Sequence, residues 1–160
     1  MKFNDVYWLL REGVAARYAT EALDVRTEAD RCSIAVLTRP VEHRGSHLNT
    51  PAITVELSAP APDVIAVRAS HFAGVEPDVP AFALEPSPVD ARVARDDGVV
   101  RLESGRLVAE ASVAGPWELR FAGDGAPLTG SGTRSLASMT DAAEGEFMVE
   151  RLRLPVGANV

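Results

Sequence analysis

The sequence predicts an all-β fold, a β-sandwich of mostly antiparallel strands with little helix. Three observations carry the prediction. Short runs alternate apolar and polar side chains. In "AITVELSAP", Ile53, Val55 and Leu57 face one way and Thr54, Glu56 and Ser58 the other, the period of a half-buried strand. Turn pairs such as Asp97-Gly98, Ser104-Gly105, Gly115-Pro116 and Asp124-Gly125 cut the third quarter into short segments. Asp-Gly favours tight hairpins because glycine tolerates positive φ. Nowhere does a clear 3.6-residue apolar stripe emerge.

Taken in order, "EGVAARYATEALDVRTEADR" could pass as a helix by composition, but Tyr18, Thr20, Val25 and Thr27 favour strand. "CSIAVLTR" is a short β-rich run bounded by Pro40. "DVIAVRAS" follows the Pro60-Ala-Pro62 turn, so it pairs with the run before it as an antiparallel hairpin. Pro77, Pro80, Pro86 and Pro88 exclude a long central strand from "HFAGVEPDVPAFALEPSPVD". That stretch reads as a long loop, with a short strand near Phe82. A meander follows: "ARVAR", "VVRLE", "RLVAEAS", "WELRFA" and "APLTG". "GSGTRSLASMTDAAEGE" is small and polar and reads as a mobile loop. "FMVERLRL" reads as the final strand. Roughly ten or more strands at this spacing fit a sandwich.

The 160 residues make one domain, residues 1–160, large enough to bury roughly 70% of its unfolded surface without staples. A net charge of −7 argues against nucleic acid, whose binders carry a basic patch, and against an anionic membrane surface. The N-terminal stretch has Asp5 and Arg11 and no long apolar core, so it is not a secretory signal. No run approaches the ~20 apolar residues that cross a bilayer. A cytoplasmic protein is the simplest expectation. The single cysteine, Cys32, allows no internal disulfide, and its apolar strand position predicts a buried small hydrophobe.

Candidate chemistry is sparse. His43 and His47 sit four apart around Arg44, Gly45 and Ser46. That spacing shares a metal only on a helix, so exposed loop histidines are expected and no metal or cofactor is assigned. His71, before Phe72, closes a strand and could face a cleft; a packed corner residue is the commoner role. Asp96-Asp97 fits turn chemistry. Glu144, Glu146 and Glu150 flank the last strand, the latter two on one face with Met148, which a solvated face explains. Trp8 and Trp117 lie on alternating strands and are expected in the core. Asn4 and Asn49 lack the Ser or Thr needed for N-glycosylation. No nucleophile elbow, P-loop or dinucleotide fingerprint is present.

Four blocks in order, "WLLREGV", "LNTPAITVELSAPAPDVIAVRASHFAG", "LESGRLVAEASVAGPWELRFAGDGAPLTGS" and "FMVERLRLPVGANV", resemble the N-terminal domain of family 31 glycoside hydrolases. The likeness is greatest to the bacterial α-xylosidases of that family. The resemblance implies a galactose mutarotase-like supersandwich packed on a catalytic (β/α)8 barrel. It also implies retaining hydrolysis by an aspartate nucleophile and an aspartate acid/base, both on that barrel. No barrel fits in this length, so 1–160 is expected to stop short of it, and no catalytic, cofactor or metal residue is carried over. Asn49, Thr50, Pro51, His71, Phe72 and Gly74 match as architectural positions. The middle loop and "TRSLASMTDAAEGE" depart from the pattern, which leaves xylosidase against glucosidase specificity open.

The expected partners are the barrel of the same parent chain and, through it, a carbohydrate. One face should be unusually apolar, or covered by another copy of the chain as a homo-oligomer. Two other readings stand beside this one. A free-standing carbohydrate-binding module would need an exposed platform from Tyr7, Trp8 or Trp117. A small sugar-active enzyme such as an epimerase would need His71 and a carboxylate in one cleft.

Overall fold

The computed structural model describes residues 2–6, 9–43, 45–46, 50–71 and 89–154. These form fourteen strands and no helix. The first half holds β1 (Asn4–Val6), β2 (Leu9–Leu10), β3 (Val14–Tyr18), β4 (Glu21–Thr27), β5 (Arg31–Leu37), β6 (Ala52–Ala61) and β7 (Val64–His71). The second holds β8 (Ala91–Asp96), β9 (Val99–Ser104), β10 (Leu107–Ser112), β11 (Leu119–Gly123), β12 (Ala126–Ser131), β13 (Ala137–Asp141) and β14 (Gly145–Val149). All pairings are antiparallel.

Two sheets face each other across one core. One has the order β4-β5-β6-β7, the other β12-β11-β10-β9-β8. The alternation read in β6 is what the structure adopts. Ile53, Val55 and Leu57 are at most 1% exposed, and Glu56 between them is exposed. They meet Val100 and Leu102 of β9 and Ala109 and Ala111 of β10 in the same cluster. In register, Ala109 lies between Leu102 and Phe121, and Ala111 between Val100 and Leu119. Small residues beside large ones let the opposite sheet come close. Each large side chain buried here stabilises by about 1.5–3 kcal/mol relative to exposure.

The hairpin signals were sound. Asp124 and Gly125 have φ of 50° and 76°, the pair of positive values a two-residue type I′ turn requires. The helix-or-strand ambiguity over 12–31 resolves into β3 and β4. Ala19 and Thr20 carry the chain from a third sheet, β14-β13-β3, into the four-stranded one. Consecutive amides change partner there: Ala19 N–H donates to Leu136 O (2.9 Å) and Thr20 N–H to Leu37 O (2.8 Å).

One expectation fails. The stretch read as a mobile loop contains β13, the central strand of the three-stranded sheet, with Ala137, Ser138 and Met139 at most 2% exposed. Both faces of β13 are covered, so small residues and Met139 alike are buried and the alternating pattern vanishes. The last strand of this sheet, β14, ends at Val149, and only an isolated bridge at Arg153 continues the run beyond it. The loop and short strand expected around Phe82 lie outside the described residues.

Candidate functional site

The strongest site is a groove along one open side of the sandwich. β7 is an edge strand. Its register puts Val67 opposite Leu57 and Ala69 opposite Val55, so both point with the core face of β6. Val67 is nevertheless 44% exposed, because the facing sheet does not reach over it. β14 forms the other bank with Met148. The floor is Leu119 and Phe121 of β11 with Leu136, and Leu152 closes one end. The cavity is about 310 Å³. Since Leu119 and Leu136 belong to the buried core, the groove opens directly onto it.

The segment after β14 frames this groove. Arg153 N–H donates to Gly130 O (2.8 Å) and Thr129 Oγ1 donates to Arg153 O (2.5 Å), which fastens residues 151–154 to the edge of β12. Leu152 and Leu154 stay 51% and 59% exposed, and Leu128 of β12 is 48% exposed. Glu150 lines the groove beside Met148 and Leu152, and loss of hydration pushes its carboxyl pKa up. The residue keeps an exposed side, so that effect is modest.

The outer face of the five-stranded sheet is the opposite case. Arg101 lies directly across from Glu110 and pairs with it at 2.5 Å, and Arg120 pairs with Glu118 at 2.6 Å. Paired opposite charges, one pair in cross-strand register and one along the chain, make a surface suited to water. The β7–β14 side is the more apolar of the two, with Val67 and Leu152 exposed along it.

The nominated residues do not converge. His43 is exposed; its Nδ1 accepts from Gly45 N–H (3.2 Å) and its own N–H donates to Ser46 Oγ (3.1 Å), a self-contained turn. His71 is half-buried at the end of β7, paired in register with Ile53, and no ion pair joins it to a carboxylate among the described residues. The epimerase arrangement is thus not found there. Asp96 and Asp97 occupy the exposed β8–β9 turn. Glu144 pairs with Lys2 (2.7 Å), and Glu146 is exposed on β14. Trp117 is 2% exposed, which removes it as a sugar-stacking platform. Cys32 is 2% exposed, and burial pushes its pKa up to about 11. Among the described residues no three His, Cys, Asp or Glu cluster as a metal site, and no helix is long and apolar enough to cross a membrane. Tyr7, Trp8, Arg44, His47, Asn49, Phe72 and Gly74 lie outside the described residues.

Sequence reasoning missed the groove residues because alternation marks which side chains point inward, not whether anything lies over them. The clue was "RLRL", a strand-like run whose leucines have no evident partner strand.

No protein-family model matches the chain. An α-xylosidase of Emericella nidulans is 29% identical over 150 residues, 88% of this chain and 19% of the relative. An α-xylosidase of Lactiplantibacillus pentosus is 27% identical over 139 residues, 87% of this chain and 18% of the relative. The chain thus spans about a fifth of the curated relatives it matches. Among solved structures, the cycloalternan-forming enzyme of Listeria monocytogenes, in complex with a pentasaccharide substrate, superposes with a TM-score of 0.57 at 17% identity. That match covers 81% of this chain and 11% of the neighbour, and it supports the fold. The resemblance to α-xylosidases read from the four sequence blocks is borne out.

Proposed function

We propose that this chain is a non-catalytic, N-terminal β-sandwich domain of an α-xylosidase-like family 31 glycosidase. In that reading the whole protein hydrolyses α-xylosidic or α-glucosidic bonds with retention, in the cytoplasm. Its two catalytic carboxylates lie elsewhere in the polypeptide. The observation that carries the reading is the coverage: nearly all of this chain matches about a fifth of each α-xylosidase. The scatter of the nominated acids and histidines agrees with it. The β7–β14 groove is where we seat the catalytic part, because an apolar channel reaching the core gains most from being covered.

The test is a pair of substitutions, Val67→Asp with Leu152→Asp, made in this chain and in the protein from the whole reading frame. Both positions are about half exposed here, so the 160-residue chain should stay folded at the assay temperature with its thermal midpoint lowered by only a few degrees, about 1–2 kcal/mol. In the whole protein, hydrolysis of p-nitrophenyl α-xyloside should fall at least about tenfold, the loss of roughly 1.4 kcal/mol of productive docking. Unchanged activity in the whole protein would sink the docking assignment.

A further inference from the structure

A second cavity, of about 590 Å³, lies at the corner where β3 crosses into β4, and it shares no lining residue with the β7–β14 groove. Four chain segments build it. The crossover at Ala19–Glu21 meets the end of β5 at Thr38, the β10–β11 connection at Gly115–Trp117, and the β12–β13 turn at Thr133–Arg134. Backbone hydrogen bonds lock these together: Trp117 N–H donates to Thr20 O (2.7 Å), and Glu21 bridges Pro116. The floor is preformed, since Ala19, Thr38 and Trp117 are at most 8% exposed.

The polar groups are few and their directions are set. Thr20 Oγ1 donates to Leu37 O and Thr38 Oγ1 to Pro51 O, both at 2.8 Å. Each hydroxyl has spent its proton, so each oxygen can only accept. Glu21 adds a carboxylate, one oxygen of which accepts from Val41 N–H (2.5 Å). The charged donor is Arg134, beside the hydroxyls of Tyr18 and Thr133. Its guanidinium stands 5.7 Å from the centre of the Tyr18 ring, and among the described residues no carboxylate pairs with it.

Arg134 also sits at φ 59°, left-handed backbone that a side chain of this kind rarely adopts. The turn holds it there, with Ser135 N–H donating to Gly132 O (3.1 Å) and Gly132 N–H to Ser135 Oγ (3.2 Å). Glycine is the ordinary choice at such a position. Backbone strain of this sort gathers at ligand clamps. In the floor beneath, the Trp117 indole N–H is buried and has no acceptor, a further departure from a satisfied core.

We propose that this corner binds a neutral saccharide unit, independently of the catalytic part of the protein. One cation and one anion in the same cleft cancel, which disfavours a simple ion as ligand. Fixed acceptors opposite a forked donor suit a molecule whose hydroxyls both give and take hydrogen bonds. Tyr18, Pro40 and Pro116 offer apolar surface to the C–H faces of a pyranose ring. The inference goes beyond the reading above and does not depend on it.

The experiment is a titration of the 160-residue chain with methyl α-D-xylopyranoside and methyl α-D-glucopyranoside, followed by amide NMR. Saturable shifts are expected at residues 18–21, 38, 115, 117 and 133–134, with a Kd of about 0.1–10 mM. Arg134→Gly keeps the backbone, because glycine adopts the same φ freely, and it should weaken binding at least about tenfold. Equal binding by that variant, shifts at the β7–β14 groove instead, or no saturable shift by about 50 mM would each overturn the proposal. So would sodium acetate reproducing the shifts, which would mark an anion site at Arg134. The assay contains no catalytic part, so its failure is distinct from failure of the docking reading.

Discussion

Val55 and Val67 are the same residue on neighbouring strands, both turned toward the core side, yet one is 1% and the other 44% exposed. Truncation to alanine removes two carbon groups, about 0.8 kcal/mol each when fully buried. For Val55 that is ~1.6 kcal/mol, and a void of roughly 50 Å³ at about 24 cal/mol per Å³ adds ~1 kcal/mol. Val55→Ala should therefore cost about 2–3 kcal/mol. Val67 has little more than half its surface to lose and lines an open groove where no closed void forms, so Val67→Ala should cost below about 1 kcal/mol. Strand propensity enters both alike and cancels. Urea unfolding of the 160-residue chain reads the difference directly. At an m-value of about 1–3 kcal/mol/M, the two midpoints should separate by roughly 1 M. Equal losses would mean that Val67 is covered in solution and that the groove reasoning is wrong.

Three other outcomes follow from the same geometry. Cys32, buried and with its thiol pKa pushed up to about 11, should react with a thiol reagent only at the rate of unfolding; fast labelling of native protein would contradict this. Gly105 has φ 57°, and a Cβ there would fall 3.1 Å from the Asp63 backbone nitrogen and clash with its carboxylate, so Gly105→Ala should destabilise by at least about 1 kcal/mol, read from the urea midpoint. Asp63 accepts from Arg106 N–H (2.6 Å) and from the Arg106 guanidinium, which hold its carboxyl below the usual carboxylate range. A lowered folded-state pKa gives stability that is full above the ordinary carboxylate value and drains away as pH falls through the lowered one. Urea midpoints of the parent and Asp63→Asn should thus differ at neutral pH and converge in acid; a gap that widens in acid would refute the assignment.

The legible part of the fold was local. Asp-Gly pairs fixed hairpins, and Ile53, Val55 and Leu57 fixed the inward face of β6, because turn chemistry and period-2 burial are written in consecutive residues. β13 was hidden for a physical reason: "ASMTD" is buried on both faces, so it shows no alternation. The groove was hidden for another. Val67 and Leu57 look alike in sequence, and only the width of the facing sheet separates them. The corner cleft draws Tyr18, Glu21, Thr38, Trp117 and Arg134 from four distant segments, so no spacing rule could assemble it. Trp117 was expected in the core and is there; the unsatisfied indole was not foreseeable.

The most direct test of the central claim is hydrolysis of p-nitrophenyl α-xyloside and α-glucoside by these 160 residues, beside the protein from the whole reading frame. The account predicts turnover by the long form alone. Turnover by the 160 residues on their own would contradict it, and would place a catalytic carboxylate pair within this sandwich.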